Sequence, residues 1–182
     1  MKTKDTWICD SCHQPITDVS HGWVEWLTRN EGGKHIGRGL RLVHHCSAHE
    51  PLDGRCQCDV RAERARDVSS LSDLPLTDFV GPDGLITLLS LIADEEVPTE
   101  EVLEMIKRLH VPGYEHARFH FDAAIADGVF EPNTRPGYYS IHDINAVLEY
   151  ARHAYALQRT APRVTVAAIS SSDPSRPSHL FP

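Results

Sequence analysis

The chain has 182 residues with a formal net charge of -8, and 41% of its residues are hydrophobic and 24% charged. These values exclude a wholly disordered chain, a collagen-like repeat and a coiled-coil rod. No apolar run reaches the roughly 18 residues of a membrane span, and the first residues lead into Trp7 and Cys9 rather than a signal-peptide core. We therefore expect a cytoplasmic protein without a membrane partner.

The first segment is predicted to be small and β-rich. Residues 22–27 and 40–44 contain strand-forming residues on either side of a turn signal at residues 30–33. This pattern predicts a β-hairpin, followed by a short exposed helix at residues 61–66. The serines that follow indicate a linker, so we place a first domain at residues 1–68 and a linker at residues 69–82.

The second segment changes to helical spacing of its apolar residues. Four helices are predicted to begin near residues 83, 99, 114 and 140, and the third extends to residue 127. Short strands are expected at residues 96–98 and within residues 129–141. The segment 83–160 is thus a helical domain, and residues 161–182 form a flexible tail rich in serine and proline.

All five cysteines lie between residues 9 and 58, together with six of the twelve histidines. An odd number of cysteines in a cytoplasmic chain favours metal binding over disulfides. Cys9-Asp10-Ser11-Cys12 is a C-x2-C knuckle, a spacing that directs two thiolates at one metal ion. Two more ligands are expected from four downstream residues, namely His45, Cys46, His49 and Cys56. Cys46 and His49 have knuckle spacing, whereas His45 and Cys56 would close a ribbon-like site, and the sequence does not choose between them.

The predicted ion is a structural Zn²⁺, because four protein ligands leave no open position for water or substrate. A segment this small has little core of its own, so a metal ion would contribute directly to its folding. The sequence contains no phosphate-binding glycine loop, no nucleophile elbow and no paired catalytic carboxylates. We therefore predict no catalytic residue and a protein that is not an enzyme.

A tandem histidine, His44-His45, follows the second predicted strand beside the cysteine-rich site. This pair resembles the histidine motif of the ββα-metal nucleases called HNH, in which one such histidine activates water. The resemblance covers these two residues alone. It implies a metal-dependent nuclease as an alternative function.

The order of elements from residue 85 to residue 155 resembles a winged-helix domain. It consists of a helix, a short strand, two helices, and a two-stranded wing with Arg135 near its tip. The resemblance implies that the third helix enters the DNA major groove. Four residues of that helix would then face the bases, namely Tyr114, Glu115, Arg118 and Phe119, and Arg135 would approach the DNA backbone or minor groove.

The negative charge is concentrated in the second segment. Residues 1–67 contain ten basic and ten acidic residues, whereas residues 68–160 contain six basic and fifteen acidic ones. Because phosphates repel carboxylates, this balance favours a protein partner at least as much as DNA. The predicted contacts with a partner or nucleic acid are Lys34, Arg38, Arg41, Arg118 and Arg135.

The sequence thus predicts an α+β protein with a zinc-ribbon-like β-rich N-terminal domain and an acidic winged-helix domain. Its predicted function is that of a non-enzymatic regulatory or adaptor protein, which contacts a protein partner, double-stranded DNA or both. A homodimer is compatible with the sequence. Two alternatives stay open: the HNH-like nuclease, and an acidic DNA mimic that inhibits a nucleic-acid-binding protein.

Overall fold

The computed structural model describes residues 6–45, 56–131 and 137–160, the last four of these without their side chains. Within these ranges the chain forms two antiparallel sheets and six α-helices. The predicted α+β class is confirmed. Among the helices that the structure describes, none combines the length and hydropathy that crossing a membrane requires.

A two-stranded hairpin opens the described chain. Strand β1 (Trp7–Ile8) pairs with β2 (Pro15–Ile16), and the C-x2-C knuckle forms the connection between them. The backbone N–H of Cys9 donates to the carbonyl of Gln14 at 3.0 Å, and that of His13 donates to the carbonyl of Cys9 at 2.9 Å. These bonds fold the two cysteines into one tight turn.

A three-stranded sheet follows, formed by β3 (Gly22–Glu31), β4 (Lys34–His44) and β5 (Ser70–Pro75) in the order β4-β3-β5. The predicted hairpin is confirmed as β3 and β4. Strand β5, however, lies in the segment predicted to be a linker, and it pairs with β3 along its whole length. Its sequence, Ser-Leu-Ser-Asp-Leu-Pro, has no strict alternation, because Leu71 and Leu74 lie on opposite faces of the strand. The strand is therefore not evident from the sequence pattern.

Helix α1 (Val60–Asp67) confirms the predicted short helix, and none of its residues is buried. The other helices are α2 (Gly81–Ala93), α3 (Thr99–His110), α4 (Tyr114–Ala117), α5 (Phe121–Ala126) and α6 (Ile141–Thr160). Ser140 and Asp143 cap the start of α6 reciprocally, as the sequence predicts: the hydroxyl of Ser140 accepts from the Asp143 N–H, and the Asp143 carboxylate accepts from the Ser140 N–H.

The predicted third helix is wrong as a single element, because the chain turns at residues 118–120 and forms α4 and α5. The turn brings the rings of Tyr114 and Phe121 to a centroid distance of 5.8 Å. In a continuous helix, residues seven positions apart would be separated by about 10 Å along the axis. Interrupting the helix therefore lets both aromatic side chains enter the same core.

The short strands expected at residues 96–98 and in the wing are not formed in the residues that the structure describes. Residues 132–136, which include Arg135, lie outside the described residues. Next to this gap, Tyr139 packs at 5.4 Å from Phe130 and at 4.2 Å from Phe121, measured between ring centroids. The aromatic residues expected to pair as strands thus pack against the helices instead.

One core extends across the domain boundary predicted near residue 69. It joins sheet residues such as Val24 and Leu42 to helix residues such as Leu88 and Met105. A second cluster lies between α4, α5 and α6 and contains Tyr114, Ala117, Phe121, Ala124, Ile144 and Val147. The described packing shows no separation of the core at the predicted boundary, and the division into two domains stays a prediction.

The sheet also contacts the loop between α2 and α3 closely. The backbone N–H of Gly37 in β4 donates to the carbonyl of Glu96 at 2.7 Å. A Cβ atom at position 37 would lie only 2.2 Å from that carbonyl oxygen, so this approach requires glycine.

Candidate metal centre

Four side chains converge at the end of the three-stranded sheet: Cys9, Cys12, His44 and Cys56. Their ligand atoms all lie within 4.8 Å of one another. The Nδ1 atom of His44 is 3.4 Å from the Cys12 sulfur and 3.9 Å from the Cys56 sulfur. Three sulfurs and one imidazole nitrogen at these separations could hold one metal ion.

The separations suit tetrahedral coordination. Bonds of about 2.3 Å to sulfur and about 2.0 Å to nitrogen place neighbouring tetrahedral ligands roughly 3.5 to 3.8 Å apart. The two distances from His44 to the cysteine sulfurs, 3.4 and 3.9 Å, bracket this range. These two separations fit a tetrahedral site, and the 4.8 Å limit on the others leaves at most about 1 Å to close.

Asp10, between the two knuckle cysteines, fixes the knuckle to strand β4. Its backbone N–H donates to the carbonyl of Leu42 at 2.8 Å, and its carboxylate accepts from the N–H of Leu42 at 2.8 Å. Because side chains two residues apart on a strand share a face, this contact also brings His44 to the knuckle.

Glu25, a buried carboxylate of β3, holds the segment that contains Cys56. It accepts hydrogen bonds from the backbone N–H of Cys58 at 3.0 Å and from the Nε atom of Arg41 at 2.7 Å. Burial raises the pKa of Glu25, and the attraction of Arg41 opposes that effect. The segment that contains Cys56 is thus held by a hydrogen-bonded carboxylate two residues beyond the ligand.

The cysteines influence one another's ionisation. Burial raises the pKa of Cys9, but hydrogen bonds from the knuckle and from His44 outweigh it and lower the pKa to about 7. Burial, together with the neighbouring Cys12 and Cys9, raises the pKa of Cys56 to about 12. A bound cation would favour the thiolate form of all three, because it offsets their mutual repulsion.

A buried arginine connects the knuckle to the helices. Arg108 of α3 donates to Asp10 at 2.7 Å, to the carbonyl of Ile8 at 3.0 Å, and to both carboxylate oxygens of Glu115 at 2.7 and 3.0 Å. Glu115 in turn accepts from the N–H of Ile8 at 2.9 Å. Burial alone would lower the pKa of Arg108, but Glu115 and Asp10 outweigh it and raise the pKa. The knuckle is therefore fixed to α3 and α4 by charged hydrogen bonds.

Of the six residues predicted as metal ligands, the structure brings Cys9, Cys12 and Cys56 together. The ring of His45 instead stacks on Trp23, with 4.8 Å between centroids. The histidine in the cluster is its neighbour His44, which the predicted ligand set leaves out. Cys46 and His49 lie outside the described residues.

Strand parity separates His44 from His45, but it does not decide between them. Leu40, Leu42 and His44 alternate along β4 on one side, and His45 follows the end of the strand. The sequence alone does not show which side of β4 the knuckle contacts, because the adjacent Leu42 and Val43 are both apolar and either could face the core.

Separate substitution of the tandem histidines tests this assignment. We expect His44→Ala to lose most of the bound metal, because one of four ligands is removed, and His45→Ala to retain one ion per chain. Metal content by mass spectrometry after gel filtration measures both. Full metal retention in His44→Ala together with loss in His45→Ala would reverse the assignment.

The predicted contacts with nucleic acid all have carboxylate partners where the structure describes them. The ion pairs are Lys34 with Glu95, Arg38 with Asp67 and Glu63, Arg41 with Glu25, and Arg118 with Asp10 and Glu115. Each carboxylate offsets the positive charge of the lysine or arginine that a DNA phosphate would otherwise bind. Arg135 lies outside the described residues.

The residues of the third predicted helix that were expected to face DNA bases differ in accessibility. Tyr114 is 5% exposed and Glu115 is 4% exposed, whereas Phe119 is 51% exposed. Tyr114 and Glu115 are therefore buried in α4, which does not favour the base contacts that the winged-helix resemblance implies for them.

The fold and site define a small α+β protein with a Cys3His cluster able to hold a metal ion. No protein-family model, curated protein or solved structure matches this chain.

Proposed function

We propose that this chain is a non-enzymatic adaptor or regulatory protein in which a structural Zn²⁺ holds together the knuckle, the end of strand β4 and the segment that contains Cys56. The observation that carries the proposal is the Cys9, Cys12, His44 and Cys56 tetrad, whose four ligand atoms lie within 4.8 Å of one another. Four protein ligands complete a tetrahedral shell, which is the arrangement of structural rather than catalytic zinc.

The donor set supports zinc as the metal. Thiolate and imidazole ligands suit Zn²⁺, whereas Mg²⁺ and Ca²⁺ prefer oxygen ligands. The carboxylates of Asp10 and Glu25 near the site are engaged in hydrogen bonds to backbone N–H groups and to arginines. They act by positioning the ligand segments.

The nuclease alternative is less well supported. An HNH-like mechanism needs one histidine of the tandem pair to activate water beside a metal ion with an open position. Here His44 belongs to the tetrad, and the ring of His45 stacks on Trp23. Neither arrangement favours water activation.

A protein partner is better supported than DNA. Every predicted DNA contact that the structure describes is paired with a carboxylate, and these carboxylates would repel phosphates. The acidic DNA mimic is weakened by internal contacts of α3. Glu101 accepts from the N–H of Leu40, and Glu104 accepts from the Tyr114 hydroxyl, so neither carboxylate is fully available to a partner.

The full chain, purified without added metal, tests the proposed function. We expect one zinc per chain by mass spectrometry, no cleavage of plasmid DNA with Zn²⁺, Mg²⁺ or Mn²⁺, and no duplex binding at about 10 μM protein in physiological salt. Metal content well below one per chain would contradict the structural site. Cleavage that disappears in His44→Ala or His45→Ala would instead support the nuclease.

A further inference from the structure

A groove lies between the knuckle hairpin and helix α6. Its volume is about 970 Å³. Ile8 and His13 line it from the hairpin, Phe119 lines it from the turn between α4 and α5, and Leu148 and Tyr155 line it from α6. The groove is therefore formed by three parts of the chain that are distant in sequence.

The walls of the groove are apolar and lack cover in the described chain. One stripe of helix α6, which includes Ile144 and Val147, packs in the core. A second stripe, with Leu148 and Tyr155, lines the groove. Tyr155 is 65% exposed and Phe119 is 51% exposed. Large aromatic side chains at the edge of a groove are typical anchors for a protein partner.

Among the described residues that line the groove, the only charged side chain is the cation Arg152. The other polar side chains of the lining are His13, His116 and His120, and no carboxylate lines it. Arg152 forms no ion pair within the described part of the chain. A groove with one arginine and no carboxylate locally favours a ligand that carries a carboxylate.

The groove is also elongated. A second depression of about 590 Å³ adjoins it and shares three lining residues, His116, Leu148 and Arg152. Arg152 thus lies where the two depressions meet. A compact ligand would fill one depression, whereas an extended or helical polypeptide segment can follow both.

We propose that this groove binds a segment of a partner protein that carries both apolar side chains and carboxylates. The apolar side chains pack against Phe119, Leu148 and Tyr155, and a carboxylate pairs with Arg152. This inference rests on the proposed adaptor function, for which it identifies the contact surface and the chemistry of the partner.

The experiment selects ligands from a display library of random peptides with the full, zinc-loaded chain as target. The enriched peptides are then labelled, and their affinity is measured by fluorescence anisotropy. We expect peptides that combine acidic and apolar residues. Arg152→Glu and Phe119→Ser should each weaken their binding about tenfold or more, and added salt should weaken it as well.

Arg61→Glu is the matched control, because Arg61 is an exposed arginine of α1 outside the groove. We expect wild-type affinity for this variant, and wild-type melting temperature and zinc content for all three variants. Failure to enrich peptides, enrichment of basic peptides, or affinity unchanged in Arg152→Glu would overturn the inference. If zinc-loaded protein binds no peptide, only the proposal for the groove is contradicted. If metal-free protein binds acidic peptides, only the proposal of a structural zinc is contradicted.

Two other occupants would overturn the inference and are distinguishable. A second copy of the chain would give a dimer in light scattering that dissociates in Phe119→Ser. If residues 161–182 occupied the groove, they would compete with peptides. Val164→Asp combined with Val166→Asp would then tighten peptide binding. We expect neither result.

Discussion

Cys9→Ser is expected to abolish stoichiometric zinc binding and to lower the melting temperature of the protein by about 10 °C or more. Cys9 is fully buried in the core as well as part of the tetrad. A structural zinc site contributes its binding free energy to folding, and a loss of about 4 kcal/mol shifts the melting temperature of a chain this size by roughly 8 to 16 °C. Thermal melting by circular dichroism, with metal content measured on the same samples, tests this expectation.

Cys58→Ser is the matched control, because Cys58 lies two residues after Cys56 but outside the tetrad. We expect it to keep one zinc and to melt close to the wild type. A chelator should lower the melting temperature of the wild type and of Cys58→Ser, and should leave Cys9→Ser unchanged. If the chelator had no effect on the wild type, the instability of Cys9→Ser would reflect the loss of a buried sulfur rather than of a metal ligand.

Arg108→Met is expected to destabilise the protein by about 3 to 5 kcal/mol. The side chain of Arg108 is 4% exposed and that of Glu115 is 5% exposed. The substitution removes the cation that binds both oxygens of this buried carboxylate and leaves it with Arg118 as its ion-pair partner. The affinity for zinc should also fall about tenfold or more, because Arg108 holds Asp10 inside the knuckle. Urea unfolding and competition with a chromophoric chelator measure the two effects.

Two further variants separate the buried network from general loss of packing. Arg64→Met removes an exposed arginine without an ion pair in the described chain, and we expect it to change stability by less than about 0.5 kcal/mol. In Arg108→Met combined with Glu115→Gln, the destabilisation should be smaller than the sum of the two single effects, because the remaining group is neutral. Additive effects would indicate that the two residues do not interact energetically.

The sequence by itself determined the features that depend on short-range spacing. The C-x2-C knuckle at Cys9 and Cys12, the hairpin of residues 22–44 and the capping of α6 by Ser140 and Asp143 are each encoded within a few neighbouring residues. Local hydrogen bonds and the periods of helix and strand are sufficient to specify them.

The tertiary structure alone decided which distant residues meet. Asp10 and Arg108 are 98 residues apart in the chain, and their contact depends on how α3 packs on the hairpin. The same packing decides that His44 rather than His45 joins the tetrad, because the side of β4 that faces the knuckle is set by the pairing of Asp10 with Leu42. It also makes residues 70–75 a strand, since this segment has no strict polar and apolar alternation and becomes a strand by pairing with β3. Neither periodicity nor composition contains this information, because it arises from contacts between segments whose relative positions only the folded core defines.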